Sequence, residues 1–320
     1  MEQLLKQLSL IGIVPVIKID DAKDAAPLAN ALNEGGLPCA EVTFRTAAAA
    51  DAIRAMRDAC PDMLLGAGTV LTTAQVDEAV AAGATFIVSP GLNPAVVEHC
   101  LEIGVPVLPG INNPTGIEQA LSLGLKTVKF FPAEPSGGLS MLKAMAAPYG
   151  GVKFMPTGGI NPANVRDYLA WNRIVACGGS WMVPNDRLSA GDFDGIRTLV
   201  SGAVDTMLNL RFAHIGINCP DEAACKAAAG TASTLFGMAQ DERSKSVFVG
   251  TPFEFMKLQG VGTMGHIGIA TPSVDRAMFH LARRGARFDP ASVQYNADGT
   301  AKFVYIADEI AGFAFHLVQG

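Results

Sequence analysis

Several features that would direct a function are scarce or missing. The six cysteines, Cys39, Cys60, Cys100, Cys177, Cys219 and Cys225, form no CxxC pair and are scattered along the chain. Reduced, cytosolic thiols are therefore expected rather than a disulfide framework. Charged residues make up only 17% of the 320, and the net charge is -6. Such a surface does not draw in nucleic acid, and any bound phosphate must be held locally. The first eighteen residues, MEQLLKQLSLIGIVPVIK, carry no basic n-region and no small-residue cleavage site. No apolar run has the length needed to span a bilayer. The expectation is a cytoplasmic protein with neither a nucleic-acid nor a membrane partner.

What is abundant is core. Hydrophobic residues reach 49%, a globular composition. A (β/α)8 barrel uses roughly 200 to 250 residues and would leave about 100 over. From residue 11 to about residue 205, short apolar runs alternate with longer, Ala-rich amphipathic ones. The strand candidates are Gly12–Lys18, Cys39–Thr43, Met63–Gly66, Thr85–Val88, Pro106–Leu108, Thr127–Phe131, Lys153–Met155 and Ile174–Cys177. Helix candidates between them include Asp21–Glu34, Ala47–Cys60, Thr73–Ala82, Pro94–Ile103 and Pro114–Ser122, followed or opened by Gly and Pro as helix ends prefer. Eight strand–helix units predict a closed parallel (β/α)8 TIM barrel. A doubly wound open sheet shares the same periodicity, because both bury their strands on two faces.

After a final helix over Asp192–Asn209 the pattern changes. HIGIN begins at His214 and HIGIA at His266, each on a short strand followed by a helical stretch and further strands. This internal repeat predicts an α+β domain of two βαβββ modules over residues 211–320, after a first domain over 1–208. Gln240–Ser246 is polar and reads as a loop, as does Asn296–Thr300 with its Asp298-Gly299 turn.

In a barrel, chemistry gathers where strands end and their following loops begin. Polar residues fall there: Glu41, Thr43 and Arg45, then Thr69, Ser89 with Pro90, Lys129, Thr157 with Gly158 and Gly159, and Gly178, Gly179 with Ser180. Lys129 is flanked by Val128, Phe130 and Phe131. Poor solvation there lowers an amine's pKa and readies it to attack a ketone; a lysine snorkelling to water is the other reading. Glu41 ends an apolar run, which favours a proton shuttle. Arg45 could clamp a carboxylate in two parallel hydrogen bonds, or it could simply pair with Glu41. The two Gly-Gly turns stand where barrels bind phosphate through backbone N–H groups, or where tight turns need positive φ.

These residues lie in EVTFR (Glu41–Arg45), GAGTV (Gly66–Val70), SPG (Ser89–Gly91), VKFFPAE (Val128–Glu134), PTGGI (Pro156–Ile160) and GGSW (Gly178–Trp181). Six motifs in this order closely resemble the 2-keto-3-deoxy-6-phosphogluconate (KDPG)/4-hydroxy-2-oxoglutarate aldolase family, over about residues 1–205. The resemblance implies a class I, Schiff-base lyase acting on a phosphorylated keto acid and usually a homotrimer, with no metal in catalysis. It implies Lys129 as the Schiff-base lysine and Glu41 as general acid/base. Arg45, Thr69, Pro90, Phe131 and Thr157 would contact substrate, and Gly158, Gly159, Gly179 and Ser180 would hold phosphate. A phosphosugar isomerase or epimerase on the same barrel needs no such lysine. A ligand sensor acting through the C-terminal domain predicts a damaged barrel site.

The C-terminal repeat looks like the glyoxalase/vicinal-oxygen-chelate superfamily. That resemblance implies a divalent metal at His214, Glu254 and His266. Its fourth ligand position falls on Ala314, with His316 two residues on and on the same face of a strand. The other reading is a cup that has lost its metal and binds a partner subunit or a small molecule.

Overall fold

The computed structural model describes all 320 residues, and the chain separates into two units, Met1–Met207 and Leu208–Gly320. In the first, the strands are β1 (Ile13–Ile17), β2 (Cys39–Thr43), β3 (Leu64–Gly68), β4 (Phe86–Val88), β5 (Val107–Leu108), β6 (Gly110–Ile111), β7 (Thr127–Phe130), β8 (Lys153–Pro156) and β9 (Cys177–Gly179). One ladder runs β5-β4-β3-β2-β1-β9 and another β6-β7-β8. Every pairing is parallel. Single parallel bridges, Phe154 to Ile174 and Thr157 to Gly178, carry the sheet on past β8. The first unit is thus an α/β fold built on a curled parallel sheet.

Three strands differ from expectation. Past the expected fifth strand, Pro106–Leu108, which appears as β5, an unexpected short strand β6 follows Pro109, which has no N–H to give to a ladder; its carbonyl instead accepts from the Lys129 amide at 2.9 Å. The third runs to Gly68 rather than Gly66. The last paired strand is Cys177–Gly179, so Gly178 and Gly179 lie within a strand and not in a turn after it.

Intervening helices are set by their ends. Thr72, Asn93 and Asn113 each accept a backbone N–H at a helix start, the latter two before a Pro in the first turn. Gly83 closes its helix in the left-handed region at φ 111°. The helices cover strands whose residues are buried on both faces, as throughout Cys39–Thr43.

The second unit follows a strand–helix–strand–strand–strand order twice. The first round is β10 (Arg211–Asn218), helix Glu222–Phe236, β11 (Gln240–Glu242), β12 (Ser246–Val249) and β13 (Phe253–Met256). The second is β14 (Gly265–Thr271), helix Val274–Arg283, β15 (Gln294–Tyr295), β16 (Ala301–Tyr305) and β17 (Phe313–Gln319). All eight strands form one sheet, β11-β12-β13-β10-β14-β17-β16-β15. The two HIG strands, β10 and β14, lie antiparallel at its centre. The polar stretch expected as a loop contains β11, a fully exposed edge strand; an edge tolerates charge that a central strand would not.

Candidate active site

Strands β2 and β7 are not neighbours in either ladder, yet their side chains meet inside the curl. The Nζ of Lys129 donates to Oε1 of Glu41 at 2.9 Å, and the two side chains are only 5% and 1% exposed. Alternation along β7 explains the lysine's direction, since Val128 and Phe130 point the other way and are wholly buried. The side chain does not snorkel to solvent. The Phe131 ring lies with its centre 5.3 Å from the ammonium, a cation–π contact. A second glutamate oxygen, Oε2 of Glu41, is buried without a partner, as is Oγ1 of Thr157. Unpaired polar atoms in a closed interior are costly, and each of these two retains the capacity for a further hydrogen bond.

Other expected residues surround this pair. Thr69, half-buried after β3, has φ 57°, a left-handed conformation that a Thr adopts only when its surroundings impose it. Pro90 and Phe131 line a cleft of about 670 Å³ together with Asn112, Asn113 and Gln119. Arg45 is exposed and does not pair with Glu41; its Nε donates to Oγ1 of Thr43 at 3.1 Å. Arg45, Lys18, Ser180 and Asn185 line a further cavity of about 240 Å³. Gly158 and Gly159 have φ 99° and 84°, open to glycine and strained for other residues.

Two features escaped the sequence reading. The Tyr168 hydroxyl donates to Oε1 of Glu134 beneath the Gly158-Gly159 turn, and burial, followed by that carboxylate, pushes the phenol's pKa up. The indole Nε1 of Trp181 is buried and unpartnered, with its ring filling the space a side chain at Gly179 would take. Both residues sit in or pack on the quoted motifs, but nothing in their spacing marks them as partners.

The second unit holds its own polar cluster. His266 Nε2 lies 3.0 Å from Oε2 of Glu254, and His214 Nε2 lies 3.5 Å from the same oxygen. His316 joins them, its Nε2 3.2 Å from that of His214. The fourth member is therefore His316 and not Ala314. In register Ala314 stands opposite His266 and His316 opposite Gly268, so the ring enters from two residues further along β17. Burial, then the neighbouring His214 and His266, push the His316 imidazole down to about 3. Burial likewise lowers His214. For Glu254 burial acts upward, but hydrogen bonds from His266 and Ser246 hold its carboxyl below the usual range.

A model of the family described as KDPG and KHG aldolase matches residues 2–199. The chain belongs to this aldolase family. It is 54% identical over 196 residues to the 2-dehydro-3-deoxy-phosphogluconate aldolase of Treponema pallidum, covering 61% of this chain and 93% of that one. Against the Haemophilus influenzae protein of the same name it is 51% identical over 204 residues, with 64% and 96% covered. Among solved structures it is similar to the KDPG aldolase of Legionella pneumophila, captured with pyruvate as a covalent carbinolamine intermediate, at TM-score 0.60 and 38% identity, covering 62% of this chain and 97% of that one. A Zymomonas mobilis KDPG aldolase with 3-phosphoglycerate gives TM-score 0.58 and 42% identity, covering 62% and 94%. The protein is accordingly an enzyme of the aldolase type, a carbon–carbon lyase. The isomerase and sensor alternatives receive no support from these likenesses. No helix is long and apolar enough to cross a membrane.

Proposed function

We propose that this aldolase cleaves 2-keto-3-deoxy-6-phosphogluconate to pyruvate and glyceraldehyde 3-phosphate through a Schiff base on Lys129, and that it also takes 4-hydroxy-2-oxoglutarate to pyruvate and glyoxylate. One observation carries the reading: a buried lysine whose ammonium bonds a buried carboxylate at 2.9 Å. Glu41 can take a proton from the ammonium, which leaves an amine able to add to the keto carbon of the substrate. Glu41 returns that proton to the hydroxyl of the adduct, which leaves as water and gives a protonated imine with Glu41 again a carboxylate. Glu41, acting as general base, then accepts the C4 hydroxyl proton while the C3–C4 bond breaks, and the imine takes up the electron pair. The aldehyde leaves, the resulting enamine is protonated at C3, and hydrolysis returns pyruvate and the free lysine.

The surrounding groups supply position. Arg45, with Thr69 and Pro90, holds the carboxylate end; Thr157, whose Oγ1 has no partner, meets a substrate hydroxyl; Phe131 packs beside the imine. The backbone of Gly158, Gly159 and Gly179 and the Ser180 hydroxyl hold the phosphate, a task suited to N–H groups in a chain of net charge -6. This reading takes the curled sheet as a (β/α)8 barrel in which β5 and β6 count as one strand broken at Pro109. It takes the enzyme as a cytoplasmic homotrimer needing no metal in the barrel. The second unit is read as glyoxalase-like, with His214, Glu254 and His266 able to hold a divalent metal; such an ion, when bound, supplies Lewis acidity toward an oxygen ligand.

The test is borohydride reduction in the presence of pyruvate. The wild type is expected to gain one reduced pyruvyl adduct on Lys129, located by peptide mass mapping, and Lys129→Ala to gain none. Equal trapping of that variant would overturn the assignment. Retro-aldol assays with the gluconate and galactonate epimers then define the substrate.

A further inference from the structure

The HIG repeat has a packing consequence that leads to a site. His214 on β10 stands opposite Gly268 on β14, and Gly216 stands opposite His266. A Cβ at Gly216 would lie 2.0 Å from the His266 ring, and one at Gly268 would lie 2.7 Å from the His214 ring and 3.0 Å from that of His316. Each histidine thus fills the space left by the glycine opposite it. The result is three imidazoles whose ligand atoms all lie within 4.8 Å of one another, with His266 4% and His316 2% exposed.

Glu254 lies beside two of these rings, His266 and His214. Its Oε1 is held by the buried Ser246 hydroxyl at 2.6 Å, which leaves Oε2 turned toward His266 and His214. The separations from His214 to His266 and from His316 to His214 are both 3.2 Å, and from His266 to Glu254 3.0 Å. Donors bound at about 2.0–2.1 Å around one cation stand about 3 to 3.4 Å apart, so these distances fit the edges of a coordination polyhedron. They fit a proton-sharing network less well, because each neutral imidazole has one N–H to give and three ring nitrogens here converge.

We propose that His316 is a metal ligand and that His214, His266 and His316 together form a three-imidazole centre for a divalent transition metal such as zinc, cobalt(II) or nickel(II), with the Glu254 carboxylate beside His266 and His214. The proposal rests on the metal-binding reading of the second unit and changes its donor set, since Ala314 offers no donor. Nitrogen-rich sites favour these ions over magnesium and calcium, which prefer all-oxygen shells. His266 also lines a cavity of about 530 Å³ shared with Tyr305, Phe303 and Gln259, which gives the centre an approach from solvent.

The full-length chain, stripped with a chelator and dialysed, tests this by calorimetric titration with zinc and by the visible absorption of added cobalt(II). One zinc per chain and a structured cobalt spectrum are expected, with magnesium taking no part. His316→Ala, and His316→Gln which keeps the volume, should each weaken zinc by at least tenfold and alter the cobalt bands, while far-ultraviolet circular dichroism stays unchanged. If no zinc, cobalt or nickel binds to the wild type, the metal reading and the proposal both fall. If the wild type binds and His316→Gln keeps its affinity and spectrum, only the assignment of His316 is overturned.

Discussion

Gly68 lies so close to Glu41 that a side chain there would strike the carboxylate: a Cβ would stand 2.3 Å from Oε1, the oxygen bonded to Lys129. The absence of one carbon atom on β3 is what lets a carboxylate on β2 face an amine on β7. Gly68→Ala should therefore displace Glu41 by a fraction of an ångström to an ångström. Misplacement on that scale costs about 10²-fold in rate, and overpacking costs about 1–3 kcal/mol of stability. Retro-aldol kinetics beside urea unfolding check this, and an alanine variant with wild-type kcat/KM would show that Glu41 does not need its present position.

The Lys129–Glu41 pair predicts an uneven pattern of stability. A buried pair broken from one side leaves an uncompensated charge, at a cost of about 3–5 kcal/mol, while replacing both partners by apolar groups is often nearly neutral. Lys129→Met and Glu41→Leu should each lower the urea midpoint strongly, and the double variant should recover most of the loss. Activity should be absent in every variant lacking Lys129. Additive destabilisation in the double variant would mean that the two residues do not interact.

All six cysteines are buried, and burial raises the thiol pKa of Cys39, Cys60, Cys100, Cys219 and Cys225. For Cys100 burial, then the nearby Asp77 carboxylate, push the pKa from 9.0 up to about 11; burial raises that of Cys39 further. The sign follows directly. Above about pH 9 an unfolded thiol loses its proton while the folded one keeps it, so the unfolded state binds fewer protons and stability falls as pH rises. Thermal midpoints should thus decline from pH 9 toward 11, and Cys100→Ala should make that decline shallower. Native protein at pH 8 should react slowly with a thiol reagent at Cys39 and Cys100, and fully once unfolded; rapid native labelling at either would contradict their burial.

Much of this arrangement was legible in the chain. The alternation of short apolar and longer Ala-rich runs announces a parallel sheet under helices, because strands covered on both faces need no polar side. Lys129 and Glu41 stand out because a charged group within an apolar run must reach water, find a partner or carry a task. What stayed hidden depends on register between distant segments. Strand β6 lies beyond Pro109, where the expected strand Pro106–Leu108 had already ended. Gly178 and Gly179 look like a turn until β1 pairs with them. His316 replaces Ala314 because the parallel register of β14 on β17 sets His316 beside Gly268, and no local pattern states that offset. The edge strand Gln240–Glu242 carries loop-like composition because its outer side meets only water.

The boundary near residue 208 yields the last prediction. The relatives cover 93% and 96% of their own lengths within roughly the first 200 residues of this chain, and the first unit ends at Met207 with the helix Phe193–Leu208. That helix packs its own unit: a Cβ at Gly35 would meet Val200 at 2.6 Å, and Ile196, Val200 and Val204 are all buried. A chain cut after Asn209 keeps this helix whole and should fold and cleave KDPG with kcat within about threefold of the full protein, since neither Lys129 nor Glu41 has a partner beyond it. A chain cut before Phe193 loses those three buried side chains, each contributing about 1.5–3 kcal/mol, and should not fold. Size-exclusion chromatography with light scattering, run on the longer piece, reads its assembly at the same time. Loss of activity in the longer piece despite a native circular dichroism spectrum would show that the second unit takes part in the aldol chemistry.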